Sequence, residues 1–237
     1  MNETGHTGSR SGTFRKDHDS VYTGTHSSFA APLVEWILLR YGGSSGATIL
    51  DAFAGGSPRA VISCIMGLRY IGIDIRIDQI KENEATLKEL GLKGATYIHG
   101  DGRFIPDDVG PFDVALTCPP YFDLEQYSDQ PDDLSNLGSY EEFIAGIYFS
   151  AMSHFKVMKP GAFVCWVVGP FRSKKTGELI NFPGHTIEAF REAGFIYWQD
   201  VILSKNFGSA AKRSTNAWKG LKLVPIHEHL LVFRKPK

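Results

Sequence analysis

Two stretches of this 237-residue chain carry residue types that suit chemistry better than packing. The first is DAFAGGS, Asp51 to Ser57, a carboxylate followed by Phe53 and two adjacent glycines. Gly55 and Gly56 let the backbone turn sharply and come close to a ligand. A helix opening behind them offers unpaired N–H groups to an anion. Asp74, 23 residues beyond Asp51, suits the two hydroxyls of a ribose. Asp101, in HGDGR, can accept from an adenine amino group. The second stretch is TCPPY, Thr117 to Tyr121. Prolines cannot donate to a strand ladder, yet Pro119 and Pro120 come directly after Cys118 and the apolar run FDVALT. They fix a backbone carbonyl and supply no competing N–H, and Tyr121 adds an aromatic face beside it.

The elements that must position these residues alternate. FAAPLVEWILLRYG predicts a helix with Leu33, Trp36, Ile37 and Tyr41 on one face. ATILDAF predicts a buried strand, then SPRAVISCIMG a helix with Pro58 in its first turn, where its missing N–H costs nothing. RYIGIDI predicts a second strand ending at Asp74. RIDQIKENEATLKELG predicts an amphipathic helix with Ile77, Ile80, Leu87 and Leu90 inward, stopped by Gly91. ATYIHGD and FDVALT predict strands three and four. Ser139 and Glu142 form a capping-box pattern opening YEEFIAGIYFSAMSHFKVM, which Lys159-Pro160-Gly161 ends. GAFVCWVVG, HTIEAFREAG, FIYWQDVILS and HEHLLVFRK predict a fifth strand, a helix and two closing antiparallel strands. Such alternation predicts an α/β fold with a doubly wound, mostly parallel sheet. In such sheets ligands bind beyond the carboxyl ends of the strands, at a switch point, where Asp51 and Asp74 lie.

A dinucleotide fold would show GxGxxG, and this chain has Gly55-Gly56-Ser57-Pro58. A ligand joining adenosine to an amino acid, S-adenosylmethionine, fits the same loop, with its ammonium near Asp51 directly or through water. The plain alternative is that the two glycines only make a tight turn.

Bulk properties bound the rest. The hydrophobic content of 43% supports one sizeable core, and the net charge of −1 gives no bulk attraction to nucleic acid. Cys64, Cys118 and Cys165 are far apart and form neither a disulfide framework nor a metal pattern. No signal sequence or long apolar run is present, so a soluble cytoplasmic protein with no membrane association is expected. Residues 1–24, rich in Gly, Ser and Thr, are expected to be a mobile tail, with residues 25–237 forming the domain.

The combination FAAPLVEWIL, DAFAGGS, IGIDI, TCPPY and HEHLLVFRK resembles the adenine-N6 and cytosine-N4 amino-methyltransferases of DNA. It is most similar to small phage and prophage members with a CPPY or SPPY motif. The resemblance covers about residues 25–235 and implies a Rossmann-like class I methyltransferase fold. S-adenosylmethionine is the implied cofactor and DNA the implied partner, in a bacterial or phage-infected cell; a homodimer is among the oligomeric states left open. By this resemblance Phe29, Asp51, Phe53, Gly55, Gly56, Asp74 and Asp101 line the cofactor pocket. Cys118, Pro119, Pro120 and Tyr121 form the catalytic turn. Pro119 supplies a carbonyl for one amine hydrogen, and Tyr121 stacks on a flipped base. Family members more often carry Asp, Asn or Ser where this chain has Cys118, and a thiol is a weak acceptor. Three readings of Cys118 stay open: an amine partner, a buried filler, or a nucleophile for pyrimidine C5 chemistry.

Arg172, Lys174 and Lys175 form one basic loop. Lys205, Lys212, Arg213, Lys219 and Lys222 form another, interleaved with Phe207 and Trp218. Both suit phosphate contact and base stacking. Asp123, Glu125, Asp129, Asp132 and Asp133 follow the Pro-Pro-Tyr turn and read as a solvated lid, with Asp123 or Glu125 as an alternative base-holding group. His227 and His229 share a strand face, but no third ligand completes a metal site in the sequence.

Overall fold

A computed structural model describes residues 29–42, 45–124, 128, 130–204, 214, 217–218 and 220–237. The expected tail, Glu125, Asp129, Lys205, Phe207, Lys212, Arg213 and Lys219 lie outside the described residues.

Helix α1 (Ala31–Tyr41) opens with a proline in its first turn. Strand β1 (Thr48–Asp51), α2 (Pro58–Ile65), β2 (Arg69–Asp74), α3 (Ile77–Glu89) and β3 (Ala95–His99) follow. Next come β4 (Phe112–Thr117), α4 (Tyr140–Val157), β5 (Met158–Val168) and the two-residue strands β6 (Phe171–Arg172) and β7 (Leu179–Ile180). Helix α5 (Phe182–Glu192), β8 (Ile196–Ser204) and β9 (His227–Arg234) close the chain.

Seven strands form one sheet in the order β3-β2-β1-β4-β5-β9-β8. The pairs from β3 to β5 are parallel, while β9 runs antiparallel to both β5 and β8. This is the expected doubly wound α/β sheet with an antiparallel C-terminal strand. Strand order reverses between β1 and β4, which pair Ile49 with Val114 and Leu50 with Ala115. The reversal opens a crevice at their carboxyl ends, and both DAFAGGS and TCPPY leave the sheet there.

A core lies on each face. One packs Phe143, Ile147, Phe182 and Phe190 from α4 and α5 against Trp166 and Phe233. The other packs Val34, Ile37, Val61 and Ile62 from α1 and α2 against Ile49 and Val232. Phe190 stacks on Phe233 at 4.1 Å between ring centroids, a contact that binds α5 to the sheet. Because both faces are covered, β1 and β4 are buried almost throughout and read as continuous apolar runs.

The capping box at α4 is present: Ser139 Oγ accepts from Glu142 N at 3.1 Å, and Glu142 Oε2 accepts from Ser139 N at 3.2 Å. Gly91, at φ +66°, follows α3 as expected of a stop. Three expectations need correction. Trp36 and Ile77 share their helices' apolar spacing but are 46% and 41% exposed, because neither falls opposite a neighbouring element. The Lys159-Pro160-Gly161 segment does not end α4 but belongs to β5, which begins directly after the helix. Helix α5 starts at Phe182 and not at His185, because Asn181 caps it by accepting from Gly184 N and Pro183 fits its first turn.

Candidate active site

The crevice is a cavity of about 800 Å³, within the range of small-molecule sites. Its wall takes residues from the loop after β1, the ends of β2 and β4, and the start of β9. Phe53, Gly55, Gly56, Asp74 and Asp101 line it together with the whole Cys118-Pro119-Pro120-Tyr121 turn. Phe29 lines it too, although it precedes α1 and is not part of that helix.

Asp74 ends β2 with its carboxylate held by two backbone amides. Gly55 N donates to Oδ2 at 2.7 Å and Arg76 N to Oδ1 at 2.8 Å. Each oxygen keeps further acceptor capacity. Burial raises the Asp74 pKa, and the two amides offset only part of that rise. Gly55 reaches Asp74 because it sits at φ +47°, in the left-handed region that favours glycine. Asn83 of α3 fixes the loop from outside, donating to Gly55 O at 2.7 Å. Asp101 is gripped by Arg103, whose backbone N and Nε donate to its two oxygens at 2.9 and 2.8 Å. The turn after Asp101 lies against the β1 loop: a Cβ at Gly102 would stand 2.0 Å from Ala52 O.

Asp51 occupies a different place. It is fully buried and is not on the cavity wall. Its carboxylate accepts from Tyr70 OH at 2.6 Å, Thr117 Oγ1 at 2.7 Å and Arg59 Nε at 2.5 Å. The group therefore knits β1, β2, β4 and α2 together beneath the loop. Arg59, which nothing in the sequence pattern singled out, stands in front of it and lines the cavity. Its Nη2 donates to Phe53 O at 2.7 Å and Ala54 O at 2.9 Å, and the Phe29 ring lies 5.1 Å from its Cζ. Burial opposes the Arg59 charge, but the Asp51 carboxylate against it outweighs burial and raises the pKa.

Across the cavity, the Tyr121 ring is held edge-on by Phe171 and Phe182 at 6.0 and 5.7 Å. Tyr121 OH donates to Glu228 Oε1 at 3.4 Å. Glu228, His227 and Lys222 line the same wall, and of these only His227 and Lys222 were noted in the sequence, neither for this position. Gly169 leaves room for the meeting, since a Cβ there would stand 3.3 Å from Tyr121 OH and 3.2 Å from Glu228 Cγ. Cys118 lines the cavity, is half-buried and also packs against the second core.

The first basic loop is the β6–β7 turn. Arg172 lines the cavity; Lys174 and Lys175 are exposed beside it. Lys174 is tied to the segment after Tyr121, its N donating to Asp123 Oδ2 and its Nζ to Leu124 O, both at 2.9 Å. Asp123 is thus partly engaged by that loop, and Asp133 is buried and accepts from Ser128 and Ser135. Trp218 is 75% exposed and does not line the cavity. His229 pairs with Asp200 at 3.1 Å. Among the described residues no helix is long and apolar enough to cross a membrane.

Solved structures share this architecture. TrmN from Thermus thermophilus superposes with a TM-score of 0.65 at 14% identity, over 92% of this chain and 52% of its own. The chain thus spans about half the length of TrmN. The fold is that of the class I methyltransferases. The [4+2]-cyclase SpnF matches at a TM-score of 0.62 and 16% identity, over 87% of this chain and 81% of that protein. Magnesium protoporphyrin IX methyltransferase from Synechocystis, solved with bound S-adenosylmethionine, matches at 0.55 and 15%, over 86% and 76%. No protein-family model and no curated sequence matches this chain. At such identities the likeness speaks for the fold alone, and the cyclase shows that one fold serves different reactions.

Proposed function

We propose that this chain is an S-adenosylmethionine-dependent methyltransferase acting on an exocyclic amine, adenine N6 or cytosine N4, of a base flipped out of DNA. The observation that carries this reading is the sharing of one cavity by the Asp74 carboxylate and the rigid Cys118–Tyr121 turn. The wall chemistry fits the cofactor: acceptors at Asp74 and Asp101 suit a ribose and an adenine amine, and the apolar faces of Phe29 and Phe53 suit the rest. When bound, S-adenosylmethionine supplies an electrophilic methyl group on a sulfonium.

An exocyclic amine is a poor nucleophile because its lone pair is delocalised into the ring. The Pro119 carbonyl accepts one amine hydrogen and turns the lone pair out of the ring plane. The Tyr121 ring, braced by Phe171 and Phe182, stacks on the base and holds it in line for transfer. The exposed Lys174 and Lys175, with Arg172 at the rim, give phosphates a landing place.

The test is incorporation of label from methyl-tritiated S-adenosylmethionine into unmethylated DNA and, separately, into RNA. Label in DNA is expected. Label in RNA alone would move the substrate class, and no label in either despite bound cofactor would overturn the reading.

A further inference from the structure

The carboxylate expected to meet the cofactor's ammonium, Asp51, is sealed behind a guanidinium. The cavity wall at this point therefore presents guanidinium N–H donors whose charge Asp51 balances from behind. Three of the five Arg59 donors are used, Nε on Asp51 and Nη2 on the carbonyls of Phe53 and Ala54. Nη1 makes no bond among the described residues, and Arg59 itself lines the cavity. The guanidinium lies directly under the glycine turn, its Nη2 3.8 Å from where a Gly55 Cβ would be. Its position is fixed through Nε and Nη2 by the buried Asp51 and two carbonyls and across its face by the Phe29 ring, so a ligand would find it already oriented. The first turn of α2, which carries Arg59 directly after Pro58, adds positive potential of the same sign. Asp74 and Asp101 are the acceptors assigned to the nucleoside, and Arg59 lines the same cavity as they and the Cys118–Tyr121 turn do.

We propose that Arg59, through Nη1, anchors the carboxylate of the cofactor's amino-acid end, with Phe29 closing over the guanidinium. The assignment rests on the cofactor reading above. It reverses the sequence-based expectation: Asp51 orients the arginine from behind, and the arginine meets the ligand.

Decarboxylated S-adenosylmethionine, which keeps the ammonium and sulfonium but lacks the carboxylate, is the probe. Calorimetry on the full chain should show S-adenosylmethionine binding about 10- to 100-fold tighter than the decarboxylated compound, as for a charge-assisted pair. In Arg59→Met the preference should fall to within about 3-fold, because the lost affinity is confined to the ligand that has the carboxylate. Arg59→Gln, which keeps a neutral donor for Asp51, should show the same collapse if the methionine variant does not fold. Equal binding of both ligands by the unaltered protein would overturn the assignment while leaving the cofactor reading intact. So would a preference that survives both substitutions. Binding of neither ligand by the unaltered protein would overturn the cofactor reading, and the assignment with it.

Discussion

Asp74→Ala is the substitution with the most clearly defined consequence. The carboxylate accepts from Gly55 N and Arg76 N and presents its remaining acceptor capacity to the cavity. On the proposed cofactor placement, removing it deletes the acceptors for the ribose hydroxyls, a charge-assisted interaction of about 1.5–3 kcal/mol. Gly55 N and Arg76 N are left beside a cavity open to water, so water replaces the lost bonds and the fold loses little. S-adenosylmethionine affinity should fall about 10- to 150-fold, measured by calorimetry beside a thermal melt. A 2′-deoxyribose analogue should bind the native protein more weakly than the cofactor and bind Asp74→Ala about as well as the cofactor does. pH supplies a further check. Burial raises the Asp74 pKa, so acidification protonates it at a higher pH than an unburied aspartate, and native affinity should decline as pH falls through that transition. This decline should be absent in Asp74→Ala. Unchanged affinity in a folded Asp74→Ala protein, or an equal loss for the deoxyribose analogue, would refute the placement of the ribose.

Tyr121→Ala should cut methylation by about 10- to 100-fold or more, through lost stacking and positioning, while cofactor affinity stays within about 3-fold; equal loss of both would remove Tyr121 from the base side. Gly102→Ala should cost about 3 kcal/mol, or roughly 10 °C in Tm, because the new Cβ would stand 2.0 Å from Ala52 O; a thermal melt checks this. Burial lowers the pKa of the fully buried His154 from 6.5 to about 4. Its folded value lies below the unfolded one, so its contribution is complete above pH 6.5 and is lost as pH falls toward 4. That difference is worth about 3 kcal/mol. Urea titrations at several pH values should show the loss, and His154→Gln should show a flatter profile.

The sheet was legible because β1, β2 and β4 are short apolar runs separated by helices with their own punctuation, such as Pro58, Ser139 with Glu142, and Gly91. The convergence of the strand end at Asp74 and the Pro-Pro-Tyr turn on one cavity was legible because strand ends at a switch point face the same crevice and a proline pair leaves few alternatives for the backbone. Where β9 inserts was not legible, since the slot between β5 and β8 depends on long-range pairing such as Cys165 with Val232. The β6–β7 pair is too short to show any period. Arg59 was missed because nothing local distinguishes a buried arginine from an exposed one; only Asp51, Tyr70 and Thr117 meeting beneath the loop do so. Asp51 was given to the ligand for the same reason. Glu228 reaches Tyr121 across 107 residues of chain, through a sheet order that the sequence pattern does not contain.

Amine methylation in the cavity that Cys118 shares with Pro119 and Tyr121 would leave a product that identifies itself. Mass spectrometry of nucleosides tests it most directly, after the purified protein is incubated with S-adenosylmethionine and unmethylated DNA. N6-methyladenine or N4-methylcytosine is the predicted product and would identify the base. 5-Methylcytosine, abolished in Cys118→Ser, would make the thiol the nucleophile and contradict the account.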